Sequence, residues 1–326
     1  MKNLLLYLRG IGIGMADLIP GVSGGTIAFI TGIYERLVSA LHNIDHHALK
    51  LLVKLKFREF FRKIDALFLL LVVGGAATSI LIFSKLIEFL LKNYETYLWA
   101  FFFGLILSSI YIVIKKVKHL KVSHSVYFIA GAIIAYFVTS SSIIKTPDSP
   151  LFLFFAGFIA IIAMILPGIS GSYILLILGK YHYVISIVSA ISGYMKSLFT
   201  SITTGDFGKI VSEFPATEFG LAAIFALGCI SGLISFSKVL NWLFKHHHDN
   251  AIAVLAGFML GSLNVIWPWK KIIGETKNFQ GEIVKIQENI LPYFNSVDEW
   301  LILMFIAIGI IIIYIIEKAG SRNEAV

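Results

Sequence analysis

The stretch Asp17 to Thr26, D-L-I-P-G-V-S-G-G-T, returns 147 residues later as Met164 to Tyr173, M-I-L-P-G-I-S-G-S-Y. The match extends outward: Ala16 faces Ala163, Pro20 faces Pro167, Gly21 faces Gly168, Ser23 faces Ser170, Gly24 faces Gly171, Gly32 faces Gly179 and Tyr34 faces Tyr181. Downstream it resumes slightly out of step, at a spacing of 153: Phe83-Ser84-Lys85 matches Phe236-Ser237-Lys238, Gly104 matches Gly257 and Ser109 matches Ser262. Self-similarity of this kind marks a duplicated unit. The chain is expected to consist of two homologous halves, residues 1–147 and 148–326.

The surroundings of the repeat set its solvent. Apolar residues make up 58% of the chain, charged residues 14%, and the mean hydropathy is +0.87, far from the values of soluble domains. Six apolar runs, Ala66–Leu91, Tyr97–Val117, Ser125–Ile144, Phe219–Phe244, Ala251–Trp267 and Trp300–Ile316, each read as long enough to cross a bilayer, which needs ~20 residues, so six complete spans are expected. The net charge of +8 does not point to nucleic acid, because the basic residues lie between apolar runs. Lys50, Lys54, Lys56, Arg58, Arg62 and Lys63, then Lys115, Lys116, Lys118 and Lys121, then Lys245 fall on one side if both termini are cytoplasmic, as the positive-inside rule requires. Cys229 lies in an apolar run and implies packing rather than a disulfide. Met1–Ala16 is interrupted by glycines and has no cleavage signature, so it reads as retained.

Residues 4–41 are too short for two spans, since the pieces on either side of Pro20-Gly21 are only about 13 to 18 residues long. They read as a re-entrant helical hairpin. Pro20 stops the first half-helix, and Ser23 N-caps the second. Broken backbone at membrane depth is tolerated only where it is buried in protein or lines a wet cavity, so the break marks a site. Residues 42–65, basic with interleaved Leu and Phe, are expected to lie on the inner membrane surface as an amphipathic helix. Three spans then bring the chain to the outer face, so the second hairpin, 151–181, enters from the opposite side. Residues Val184–Thr203 read as an outer-surface or partly inserted helix and Thr204–Glu218 as a loop. The fold class is therefore an all-α polytopic membrane protein of two inverted-topology repeats, each with a re-entrant hairpin and about three transmembrane helices. That plan is associated with secondary transporters, whose site lies at the midplane between the halves.

The chemistry of the repeated motif points to an anion. Helix N-termini expose unpaired amides and positive dipole ends, and Gly21, Ser23, Gly24, Gly25 and Thr26 of one tip would face Gly168, Ser170, Gly171 and Ser172 of the other. Lys85 and Lys238, at matched positions in apolar runs, are candidates for guiding the anion, with snorkelling as the plainer account. Arg9 flanks the first hairpin and is a further candidate; Arg36 is not favoured. Asp17 and Glu35, unmatched in the second half, are candidates for carrying a coupling proton or sodium ion, although Asp17 would equally accept backbone amides near the break. No catalytic residue, cofactor or metal is assigned: the triplet His246–His248 cannot converge on one ion from a regular helix, and no hydrolase, zincin or Walker motif occurs. Transport of a small soluble anion, a lipid phosphatase and a structural partner of envelope machinery are the competing readings.

The residues A-D-L-I-P-G-V-S-G-G-T-I-A-F-I-T-G-I-Y-E-R-L, Ala16–Leu37, and L-P-G-I-S-G-S, Leu166–Ser172, resemble the PopT family of bacterial polyprenyl-phosphate translocases over essentially the whole chain. The resemblance implies a flippase that returns undecaprenyl phosphate from the outer to the inner leaflet of the bacterial cytoplasmic membrane for cell-envelope synthesis. It implies a polyprenyl-phosphate lipid as partner, with the Ser23 and Ser170 regions at its phosphate. A homo-oligomer is compatible with the sequence.

Overall fold

The computed structural model describes residues 2–19, 21–117, 121–141, 146–204, 214–277, 283–294 and 296–324. Pro20, Lys118, Lys145, the end of the third expected span (142–144) and most of the 204–218 loop lie outside the described residues. In chain order the elements are α1 (Lys2–Asp17), α2 (Gly24–Ile30), α3 (Tyr34–His42), α4 (His46–Val53), α5 (Phe57–Lys63), α6 (Ala66–Asn93), α7 (Glu95–Ile114) and α8 (Val122–Thr139). They continue with α9 (Pro150–Ile165), α10 (Gly171–Ile177), α11 (Tyr181–Thr204), α12 (Ala216–His246), α13 (His248–Ser262), β1 (Lys270–Lys277), β2 (Ile283–Asn289) and α14 (Val297–Glu324). The chain divides into two compact units, one of residues 1–141, 164–170 and 234–326, the other of 142–163 and 171–233.

Among the described residues, six helices are long and apolar enough to cross a membrane: 66–93, 95–114, 122–139, 181–203, 216–246 and 297–318. Five match the sequence expectation. The run 251–267 differs, because its helix α13 has 15 residues and ends at Ser262, about 22 Å at 1.5 Å per residue. Beyond it, Pro268 disfavours helix at Trp267, and the chain turns into an antiparallel β1–β2 hairpin that the all-helical reading missed. This hairpin is fastened by indoles: Trp267 Nε1 donates to the Ile290 carbonyl at 2.9 Å and Trp269 Nε1 to Glu299 at 2.6 Å. In place of α13, α11 joins the helices of spanning length; the sequence reading had placed it at the outer surface or partly inserted.

The basic segment is two short helices rather than one. The α4 helix closes in a Schellman motif, with Lys56 N donating to Leu51 O and Leu55 N to Leu52 O, and Leu55 takes the left-handed cap conformation (φ 55°). Asp45 caps α4 through the Ala48 amide at 2.8 Å and pairs with Lys63 at 2.9 Å. Leu49, Val53, Leu55, Phe57 and Phe61 are exposed along this segment.

In the larger unit, helices cross at glycines. A Cβ on Gly75 of α6 would lie 2.2 Å from the Tyr7 carbonyl of α1, and one on Gly10 would lie 2.3 Å from Val72 O. The α7–α14 crossing does the same at Gly104 (2.0 Å from Ile306 O) and Gly309 (2.2 Å from Phe101 O). The α8–α13 crossing does so at Gly257 (2.1 Å from Phe128 O) and Gly131 (2.4 Å from Val254 O). In the smaller unit, α9 and α12 meet at Gly228 (2.1 Å from Phe154 O) and Gly157 (2.6 Å from Phe225 O). Small residues allow such approaches where lipid supplies no hydrophobic drive for helix association. Also in the smaller unit, Lys180 is fully buried, donating to the Thr146 carbonyl at 2.9 Å and pairing with Asp148.

Candidate functional site

The first motif forms a tight break between α1 and α2. Gly21 has φ 82°, a left-handed value suited to glycine. Past it, Ser23 has extended backbone and N-caps α2. The short helix ends in a Schellman motif at Gly32 (φ 73°), where Ile33 N donates to Ala28 O and Gly32 N to Phe29 O. The matched Gly179 (φ 67°) closes α10 in the same way, through Lys180 N to Leu175 O and Gly179 N to Leu176 O.

The structure brings the first tip against residues 164–170 of the second motif, inside the larger unit. The Ser23 hydroxyl donates to the Leu166 carbonyl at 3.1 Å, across 143 residues of sequence, and the Gly168 amide donates to Thr26 Oγ1 at 3.0 Å. A Cβ on Gly25 would stand 2.8 Å from the Ile165 carbonyl, so only glycine allows this approach. Ser23 and Thr26 are 1% and 0% exposed, and Ser170 is buried as well. Gly171 and Ser172 open α10 in the smaller unit, where Ser172 is exposed.

The first amides of α2 all have internal acceptors. Gly24 N donates to the Asp17 carboxylate at 2.7 Å, Gly25 N to Ser23 Oγ at 3.1 Å and Thr26 N to Ser23 O at 2.9 Å. Of the two roles open to Asp17 in the sequence, the one seen here is acceptance of a backbone amide, and its carboxylate occupies the pole expected to attract an anion. In this conformation the tip is a closed, hydrogen-bonded joint. Its donors become available to an incoming ligand only when the joint parts.

The remaining candidates lie elsewhere. Glu35 pairs with His248 at 3.2 Å, and His248 also contacts Asp249 at 3.3 Å. Arg36 is engaged by Asp65 at 2.7 Å and stacks over Phe68 at 4.3 Å. Lys85 and Lys238 are both exposed on their helices. His42 has its pKa lowered first by burial and then by the Lys245 charge, which Asp45 opposes. Arg9 lines an apolar cleft of about 310 Å³ enclosed by α1, α2, α7 and α14. Of the cleft's other residues, Phe102 and Ile313 belong to ordinary apolar runs, while Gly12, Ala16 and Ile27 belong to the first hairpin, and nothing in sequence showed that these segments share one cleft.

A family model described as VCA0040-like, undecaprenyl phosphate translocase-like, matches residues 13–284. A protein of Vibrio cholerae serotype O1 named polyprenyl-phosphate transporter is 37% identical over 321 residues, covering 96% of each chain. A Staphylococcus aureus protein of the same name is 29% identical over 276 residues, covering 80% of this chain and 85% of its own. No solved structure matches. The chain belongs to the VCA0040-like family.

Proposed function

We propose that this chain, as a member of that family, is a flippase for polyprenyl phosphate, returning undecaprenyl phosphate to the inner leaflet of a bacterial cytoplasmic membrane for reuse in envelope synthesis. The observation that carries the proposal is the joint between the two matched tips, where Ser23 meets Leu166 O and Gly168 N meets Thr26. Amides and hydroxyls concentrated at a backbone break, inside a membrane protein, suit a phosphate. When the joint parts, Ser23, Thr26 and the Gly24, Gly25 and Gly168 amides would turn from each other to the headgroup, with Ser170 on the second side.

The architecture proposed for this movement is a pair of inverted repeats, each opening with a re-entrant hairpin, with both termini cytoplasmic. The helix crossings support it. Gly75 against Tyr7 has its counterpart in Gly228 against Phe154, and Gly10 against Val72 in Gly157 against Phe225, at the same 147 and 153 spacings as the motifs. Gly104 against Ile306 is likewise matched by Gly257 against Phe128. Each half therefore repeats the crossings of the other, and the β1–β2 hairpin is an insertion in the second half.

Energetics call for a coupling ion. A monophosphate carries about 1.5 to 2 negative charges, and moving them inward against an inside-negative potential costs about 3.5 to 4.6 kcal/mol per 100 mV. Asp17 is the first candidate carrier: a proton or sodium ion on its carboxylate would release the Gly24 amide to the headgroup, joining ion binding to opening of the joint. Glu35 is the second. Lys238 and Lys245, whose charges act on His42, would attract headgroups at the cytoplasmic surface.

The test is leaflet exchange of a polyprenyl phosphate in proteoliposomes, comparing the intact protein with a Ser23→Ala, Ser170→Ala variant. Faster exchange with the intact protein, reduced in the variant, supports the proposal. Exchange equal to protein-free vesicles under imposed proton and sodium gradients refutes it.

A further inference from the structure

The geometry points to the cleft between α1, α2, α7 and α14 as a berth that polyprenyl phosphate occupies while the joint is closed, with the phosphate at Arg9 and the chain along the apolar lining; this rests on the reading that the protein moves polyprenyl phosphate. The cleft, about 310 Å³, is at the lower end of the range for ligand pockets, roughly 300–1,000 Å³. It therefore accepts a short stretch of hydrocarbon and leaves the rest of a long chain in the bilayer. It lies along α1 from Leu5 to Ala16, about 16 Å at 1.5 Å per residue, and Leu5 and Leu8 on that lining are 41% and 51% exposed. A lipid can thus enter sideways from the membrane.

Two features point to a lipid phosphate as the occupant. Arg9 is the single charged residue in the lining, and guanidinium is the side chain that matches a phosphate in a fork of two hydrogen bonds. Within an apolar lining its charge favours an anionic headgroup beside it. Finally, the far end of the cleft, at Ala16 and Ile27, adjoins the tip that carries Asp17 and Thr26, so a lipid seated here has its chain against the α1–α2 hairpin that opening of the joint would move.

Photo-crosslinking tests this with the full-length protein in proteoliposomes. A photoreactive phenylalanine analogue replaces Phe102 in the cleft or, as control, Leu81, which is 82% exposed on α6. The probe is a radiolabelled C55 polyprenyl phosphate, challenged with unlabelled C55 polyprenyl phosphate, C55 polyprenol or phosphatidylglycerol. The expected result is a Phe102-site adduct that falls about tenfold under excess polyprenyl phosphate, less under the alcohol and not under phosphatidylglycerol, with the Leu81-site adduct indifferent to all three. Gly12→Leu, whose Cβ would meet Ile27 Cγ2 at 3.3 Å, should lower exchange, and Arg9→Gln should erase the preference for phosphate over alcohol. Equal competition by phosphatidylglycerol, or a Phe102-site adduct as indifferent as the control, overturns the berth. Exchange by the unmodified protein is measured in the same vesicles: if it is present while the berth fails, only this inference falls; if it is absent, the transport reading falls with it.

Discussion

Replacing Gly75 or Gly228 with alanine places one methyl group where two helices touch backbone to backbone. At Gly75 the new carbon would be 2.2 Å from the Tyr7 carbonyl and 2.9 Å from Ile11 N; at Gly228 it would be 2.1 Å from the Phe154 carbonyl and 3.0 Å from its carbon. Both neighbours are backbone and cannot swing aside, so the helices must separate by about 1 Å. A gap of that size forfeits a quarter to a half of the dispersion attraction across it, and overpacking of this kind costs about 1–3 kcal/mol. Breaking a weak hydrogen bond from Cα–H to a carbonyl adds about 0.5–1 kcal/mol. Alanine recovers about 0.5–1 kcal/mol through its better helix propensity. The net expectation is a destabilisation of about 1–3 kcal/mol at each site, nearly equal because the crossings are matched. Gly193→Ala and Gly220→Ala, with nothing within 4 Å, should be neutral or stabilised. Denaturant titration in detergent micelles, followed by tryptophan fluorescence, measures all four. Costs under about 0.5 kcal/mol, or a difference above about 1.5 kcal/mol between Gly75 and Gly228, would refute the reasoning, since overpacking at a matched crossing cannot produce either.

Ser23→Ala removes both the cap on Gly25 N and the bond to Leu166 O, an expected destabilisation of about 1–3 kcal/mol, read in the same titration. Asp17→Asn keeps an oxygen for the Gly24 amide but removes the ionisable group, so the variant should fold normally while its exchange no longer responds to pH or sodium gradients; a response equal to the parent's would dismiss Asp17 as carrier. Burial alone would raise the Asp45 pKa, but the Lys63 and Ala48 hydrogen bonds outweigh it and hold it at about 2, below its usual 3.8. Its stabilising effect is therefore present above about pH 4 and lost as the pH falls toward 2, and hydrogen exchange of α4 should rise over that window in the parent and not in Asp45→Asn. Arg36→Gln should leave lipid exchange unchanged, because its Asp65 pair is half exposed and worth about 1 kcal/mol or less.

The duplicated motif, the membrane setting and most of the spanning helices were legible because each rests on local composition. Apolar run length reports bilayer thickness, and Pro-Gly with a following serine reports a broken helix wherever it occurs. The short α13 was misjudged because an apolar run looks the same whether it faces lipid or is enclosed by protein, and α13 is enclosed along most of its length. The β1–β2 hairpin lay in a polar, mixed segment whose pairing depends on the Trp267 and Trp269 anchors.

At the site, the sequence by itself determined which groups are present: Ser23, Thr26, the flanking glycines, Asp17 and their counterparts near Ser170. Only the tertiary structure decided how they are used. It turned the Asp17 carboxylate onto the Gly24 amide, set Ser23 on Leu166 O and Thr26 under Gly168 N, and enclosed the Arg9 cleft from four separate helices. Residue chemistry is written one position at a time. A donor's partner and a cavity's walls depend on which distant segments the helix crossings bring within a few ångströms.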